Sequence, residues 1–201
     1  MEPFTILTGP AAPLMLANID TDVIIRIEHL TAGNDSILGR YAFEALRYFP
    51  DGSERPDFVL NQPAFRGAPI LIAGSNFGCG SSREAAVVAL LGLGIRCVIA
   101  DKFGDIFFGN CFQNGLLPIR LGPGEVAELS HRAAEGEIFT VDLAAQTITV
   151  TGILYPFAID ARRRESLLEG LDDLGLSLKQ MEMIGTWQRQ DRATRPWFWG
   201  N

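Results

Sequence analysis

Residues 68–100, APILIAGSNFGCGSSREAAVVALLGLGIRCVIA, decide the fold. Residues 68–73 form a short apolar run that stops at Gly74 and gives way to a Gly/Ser-rich stretch, 74–82, which reads as a buried strand entering a loop. Ser81 and Glu84 stand at capping-box spacing, so a helix is predicted over 83–93 with Gly94 as its stop. That helix is apolar nearly all round, and it must therefore be covered on more than one side. Residues 95–100 form a second β-branched run. Strand, loop, helix and strand within about 35 residues make a βαβ unit, for which a right-handed parallel crossover is expected.

Working outward, residues 101–114 read as a helix carrying Phe103, Ile106, Phe107 and Phe108 and closed by Asn114-Gly115. Residues 116–121 return as a strand and 123–135 as a helix. Residues 138–143 and 146–151 alternate polar and apolar positions around Ala144-Ala145, which predicts a hairpin. From Asp160 the chain is amphipathic and helical, with breaks expected at Gly170 and Gly175. Its Trp187, Pro196, Trp197, Phe198 and Trp199 are too apolar for a free tail. The first 65 residues, rich in Gly, Pro, Asn and Asp between short apolar pieces, read mostly as loop. The class is α/β, with a central mixed sheet, flanking helices and a helical C-terminal part from about residue 160.

The 201 residues carry a net charge of −7, with 47% apolar and 20% charged side chains, the profile of an ordinary globular protein. A chain of this size buries about 70% of its unfolded surface and needs no disulfide staple. The longest uncharged apolar run, 85–95, is far short of the ~20 residues of a membrane span. Met1-Glu2-Pro3-Phe4 has no secretory character, so the chain is expected to be cytoplasmic. Cys79, Cys97 and Cys111 are odd in number and widely spaced, against a disulfide framework or clustered metal ligation. Acidic charge without a basic, aromatic-laced patch argues against nucleic acid. Arg162-Arg163-Arg164 reads as a solvated helix face.

Two segments have the makings of a site. Residues 78–84, GCGSSRE, bring glycines, a helix N-terminus and Arg83 together; glycine admits close backbone approach, helix-terminal amides attract anions, and a guanidinium grips a carboxylate through two parallel bonds. The plainer alternative is that Ser81 or Ser82 only caps the helix while Arg83 pairs with a surface glutamate. Residues 18–22, NIDTD, set Asp20, Thr21 and Asp22 side by side, suited to binding a substrate hydroxyl, handling a proton or holding a cation weakly, or to a plain Asx turn. His29 and His131 have no partner at metal-ligand spacing and read as ordinary surface or packing residues.

NIDTDVII (18–25), NFGCGSSRE (76–84), VIADKFGDIFFGN (98–110) and GLLPI (115–119), in this order, resemble the 3-isopropylmalate dehydratase small-subunit family; FAIDARRR and GLDDLGLSL extend the likeness to residue 178. The resemblance implies an aconitase-type swivelling domain spanning the whole chain, 1–201. It implies a hydro-lyase that isomerises 2-isopropylmalate to 3-isopropylmalate by dehydration and rehydration in leucine biosynthesis. Activity would require a large subunit, in a heterodimer or higher assembly. That partner would hold a 4Fe-4S cluster acting as Lewis acid on the leaving hydroxyl, with no cofactor or metal on this chain. By the same resemblance Ser81 is the base and Arg83 the carboxylate-binding arginine. Ser82 assists by hydrogen bonding, and Thr21 and Asp22 face the same cleft; the substrate is a small dicarboxylate, and neither nucleic acid nor membrane is a partner.

Two residues depart from the family pattern: Ala85 stands where the family usually has histidine, and Arg26 follows Ile24-Ile25 where it commonly has proline. Both bear on the substrate, and Ala85 is expected to leave room for a different substituted malate. The alternatives kept beside the main reading are therefore a related hydro-lyase acting on citraconate/2-methylmalate, homoaconitate or a bulkier aryl-substituted malate, and a binding module of the same fold without catalysis.

Overall fold

The computed structural model describes residues 1–32 and 37–199. Where the sequence reads as loop, the chain opens on the longest strand of the fold, β1 (Ile6–Leu14). Three single-turn helices follow, α1 (Thr21–Ile24), α2 (Leu38–Tyr41) and α3 (Glu44–Arg47). The βαβ unit comes next as β2 (Ile70–Ala73), α4 (Glu84–Gly92) and β3 (Cys97–Ala100), with β2 and β3 parallel. Helix α5 (Asp105–Asn114) leads to β4 (Leu117–Arg120), parallel to β3, and α6 (Pro123–Ala134) follows. Then come β5 (Ile138–Asp142), β6 (Thr147–Val150) and β7 (Ile153–Pro156), an antiparallel meander, and the C-terminal helices α7 (Ala161–Glu169), α8 (Asp173–Leu178) and α9 (Met181–Thr194).

All seven strands join one mixed sheet in the order β4-β3-β2-β1-β5-β6-β7. Its two halves meet in β1, whose first half pairs antiparallel with β5 up to Pro10 and whose second half, from Ala11, pairs parallel with β2. This split explains how a central strand tolerates two prolines. Pro13 falls where only β2 borders the strand, so its missing N–H costs no ladder bond.

Every residue of β2 and β3 is buried, and their side chains alternate between two cores. Ile70, Ile72 and Ile99 face the cluster of Leu129, Phe139 and Val141, whereas Leu71, Ala73 and Val98 face that of Leu90, Phe77 and Phe107. Helix α4 packs against α1, α2 and α5, so its uniformly apolar surface is covered on several sides as expected.

Several local expectations are corrected. The capping box does not form: α4 begins at Glu84 with Arg83 as its N-cap and no capping side chain. Residues 101–104 are not helical, because Phe103 pairs as a bridge with Phe77. Gly175 lies inside α8, whose start is capped by Asp172, and the break comes at Lys179-Gln180 instead. The arginine run does lie on a helix face with Arg162 and Arg163 exposed, as expected, and makes surface contacts there. Arg163 lies over Phe112 at 4.7 Å and Arg162 pairs with Asp173 at 3.4 Å. The C-terminal aromatics pack in part, since Trp199 donates to Asp191 at 2.8 Å and meets Trp187, yet Trp197 and Phe198 remain exposed. No helix of the described residues is long and apolar enough to cross a membrane.

Candidate active site

The parallel strands β1, β2 and β3 end side by side, and open α/β sheets bind ligands at such strand ends. Their sheet order persists, one bridge wide, into the loops beyond: Asp20 pairs with Cys79 and Phe77 with Phe103, both parallel. Backbone bonds stitch the three loops together, from Asn18 N to Ser75 O at 2.8 Å, Gly78 N to Ile19 O at 2.7 Å, Thr21 N to Cys79 O at 2.9 Å and Phe77 N to Lys102 O at 3.1 Å. Segments 18–22 and 74–83, 60 residues apart, are thus held as one surface.

An aromatic stack supports this surface from below. Phe77 meets Phe107 edge-on at 5.5 Å, and Phe107 is stacked with Phe103 at 6.4 Å. Gly78 has φ +69°, and a Cβ there would stand 2.3 Å from the Phe107 ring, so only glycine lets the loop turn this close to the core.

On the surface, Thr21 is buried (1% exposed) and donates its hydroxyl to Ser81 O at 3.1 Å, with the Ser81 hydroxyl itself 3.4 Å away. Ser81 and Ser82 are exposed. Arg83 is half-buried, ion-paired with Asp22 and bonded through Nη1 to Ile25 O at 3.2 Å. Asp20 caps α1 by accepting from Val23 N at 2.8 Å. Neither serine caps α4, and Arg83 is paired with Asp22, an exposed carboxylate of the second segment, rather than with a glutamate.

All five candidate residues therefore share one place, with one adjustment. Thr21 lies under Ser81 and touches it, instead of facing the open side as a substrate ligand would. Ile25 was missed, because only a main-chain carbonyl carries its contribution and no side-chain signal announces it. The three cysteines are free, with Cys97 and Cys111 fully buried and their thiols pushed well above the ordinary range by that burial. Among the described residues no three His, Cys, Asp or Glu side chains gather as a metal site.

A family profile described as the aconitase C-terminal domain matches residues 1–124. A 3-isopropylmalate dehydratase small subunit of Rhodospirillum centenum is 53% identical across the full length of both chains. One from Cereibacter sphaeroides is 52% identical over 98% of this chain and all of its own. Among solved structures, a 3-isopropylmalate dehydratase of Methanocaldococcus jannaschii superposes with a TM-score of 0.67 at 26% identity, covering 92% of this chain and 99% of that one.

Proposed function

The chain belongs to the 3-isopropylmalate dehydratase small-subunit family, within the aconitase C-terminal domain fold, and from this premise we propose which of its residues carry which part of the hydro-lyase reaction. The activity is the interconversion of 2- and 3-isopropylmalate in leucine biosynthesis, performed with a large subunit. Relatives 52–53% identical over full length bear that name. They weigh against citraconate, homoaconitate or an aryl-substituted malate as the substrate, and against a binding module without catalysis.

In this reading the Ser81 hydroxyl, as alkoxide, takes the proton from the substrate carbon next to the one bearing the hydroxyl. The C–H electron pair becomes the second bond of the alkene, and the C–O pair departs on the hydroxyl, for which the cluster expected on the large subunit would supply the Lewis acid. Rehydration runs the same steps with the hydroxyl returned to the neighbouring carbon. A serine is a poor base in water, so its anion needs stabilisation. The Arg83 guanidinium and the first-turn amides of α4, which no side chain caps, lie next in the chain and supply positive potential.

Arg83 also binds a substrate carboxylate, and Asp22, exposed and paired with it, is the group that the carboxylate displaces or joins. Ser82 hydrogen-bonds the substrate beside them. Thr21 acts as a positioning residue for Ser81. The scattered and mostly buried cysteines do not fit as ligands of a 4Fe-4S cluster, which is assigned to the large subunit. The chain acts as one swivelling domain, of which the C-terminal helices are an outlying part.

One observation carries this reading: the two loops, far apart in sequence, place Thr21 against Ser81 and Asp22 against Arg83. The deciding experiment mixes the chain with a cluster-loaded large subunit and follows alkene absorbance with 2-isopropylmalate, 2-methylmalate and homocitrate. Turnover highest on 2-isopropylmalate supports the proposal. Preference for another malate overturns the substrate, and no turnover of any overturns the enzyme reading.

A further inference from the structure

Beside the catalytic loop lies a cleft of about 870 Å³ that the reaction described above does not use. Arg26, Arg40, Arg47 and Arg55 line it together with the rings of Tyr41 and Tyr48. Its volume falls in the ~300–1,000 Å³ range of small-ligand sites. Four guanidinium groups in one concavity run against the charge of a chain whose net value is −7.

The nearby acids neutralise only Arg26. Glu44 lines the cleft but accepts from His29 at 2.8 Å and lies 4.0 Å from Arg26. Glu54 is held by Arg66, and Glu28 by Arg26. Arg40, Arg47 and Arg55 form no ion pair with any of the described residues.

Arg47 is the most telling of the three. It is only 8% exposed, and its Nε and Nη1 make no more than long contacts of 3.4 Å to Asn61 Oδ1 and Ala42 O. Its Nη2 has no hydrogen-bond partner among the described residues, its Cζ lies 5.0 Å from the centre of the Tyr48 ring, and the residue lines the cleft. An almost buried cation with no carboxylate partner among the described residues is costly unless an anion completes it. A guanidinium fork suits phosphate and carboxylate oxygens equally.

We propose that this cleft binds a small anion carrying two or more negative charges, phosphate or polycarboxylate, at a site separate from Ser81 and Arg83. Its wall is continuous with the catalytic loop, because Arg26 directly follows Ile25, the residue whose carbonyl holds Arg83.

Calorimetric titration of the assembled two-chain enzyme and of this chain alone, with pyrophosphate and with tricarballylate, tests the proposal and separates the two anion chemistries. One saturable site is expected in both preparations, weakened at least about tenfold by Arg40→Gln with Arg55→Gln and unchanged by Arg83→Lys. Arg40→Gln alone, at an exposed side chain with no bond to any of the described residues, is expected to weaken it several-fold and guards against misfolding of the double variant. Absence of saturable binding, or insensitivity to both variants, overturns the site. Loss of binding in Arg83→Lys assigns the anion to the substrate pocket and overturns it as well. Binding to the free chain that vanishes on assembly, or weaker assembly of Arg40→Gln without anion binding, identifies the cleft as a contact for an acidic segment of the large subunit and likewise overturns it.

Discussion

The Thr21 hydroxyl lies 3.1 Å from the carbonyl oxygen of Ser81 and 3.4 Å from its hydroxyl, across 60 residues of sequence. Because Thr21 is buried and its own N–H is bound to Cys79 O at 2.9 Å, it is a fixed post against which the exposed serine is set. Thr21→Val keeps the shape and removes the hydroxyl. It is expected to cost about 1 kcal/mol of stability and to lower kcat roughly tenfold with little change in KM, the pattern of an interaction that matters in the transition state. Thr21→Ser should recover most of kcat. Steady-state kinetics on the assembled enzyme check both, and a proportionate rise in KM would assign Thr21 to substrate binding instead.

Ser81→Ala removes the proposed base and leaves the loop's backbone bonds intact. General-base catalysis contributes about 10²–10⁴-fold, so kcat should fall by that order while affinity for the large subunit is unchanged. Arg83→Lys keeps the charge but loses the fork, and should both raise KM and slow turnover. Wild-type turnover in assembled Ser81→Ala would show the base to be another group.

Gly78 and Gly94 separate backbone strain from collision. Both have positive φ, +69° and +96°, but a Cβ at Gly94 meets nothing within 4 Å, whereas at Gly78 it would strike the Phe107 ring. Gly94→Ala should therefore cost roughly 1 kcal/mol, the strain alone. Gly78→Ala must also shift a fully buried ring and should cost about 1–3 kcal/mol more, as overpacked cores do. Urea denaturation of the two variants measures the difference, and equal losses would contradict the tight approach of loop and core.

Acid stability should depend on the cluster joining α6 to β7. The Tyr155 hydroxyl donates to Glu128 Oε1 at 2.7 Å and Arg132 binds the same oxygen, and these two hydrogen bonds hold the Glu128 carboxyl below its ordinary range. A carboxylate with a lower pKa folded than unfolded stabilises the fold above its unfolded value, near 4.3. That contribution disappears as pH falls through the folded value. Thermal melts from pH 6 to pH 3 should show Glu128→Gln losing less stability than wild type over the acid end. Parallel curves would mean that the bond is too exposed to count.

How far the sequence discloses this molecule depends on how burial writes itself into the chain. β2 and β3 are covered on both faces, so ILIA and CVIA are unbroken apolar runs, and the unit between them is legible. β1 is as central, but ILTGPAAPL contains a glycine and two prolines, which ordinarily argue against a strand. They are tolerated because the strand changes neighbours at Pro10, a fact fixed only by the other strands. β7 is an edge strand with a single buried residue and little pattern to read. At the site, the motif side chains were identifiable one by one, whereas the Ile25 carbonyl and the arginine cleft exist only through folding. Arg40, Arg47 and Arg55 come from a stretch that reads as loop.

Ala85 offers the last test. The sequence reading places it on a helix over 83–93 and expects it to leave room for a different substituted malate. Helix α4 starts one residue later, at Glu84, and Ala85 is half-buried against the core cluster beneath the loop. A methyl group turned toward the core has little influence on which malate side chain fits above Arg83. Ala85→His should therefore leave the ratio of kcat/KM for 2-isopropylmalate and 2-methylmalate within about threefold of wild type, a change of roughly 0.6 kcal/mol in relative transition-state binding. Its cost should fall on stability, at about 1–3 kcal/mol, because a larger polar ring must enter packed surroundings. Measuring both quantities on one preparation separates the two roles. A tenfold or greater change in the ratio without loss of stability would return Ala85 to the specificity of the pocket.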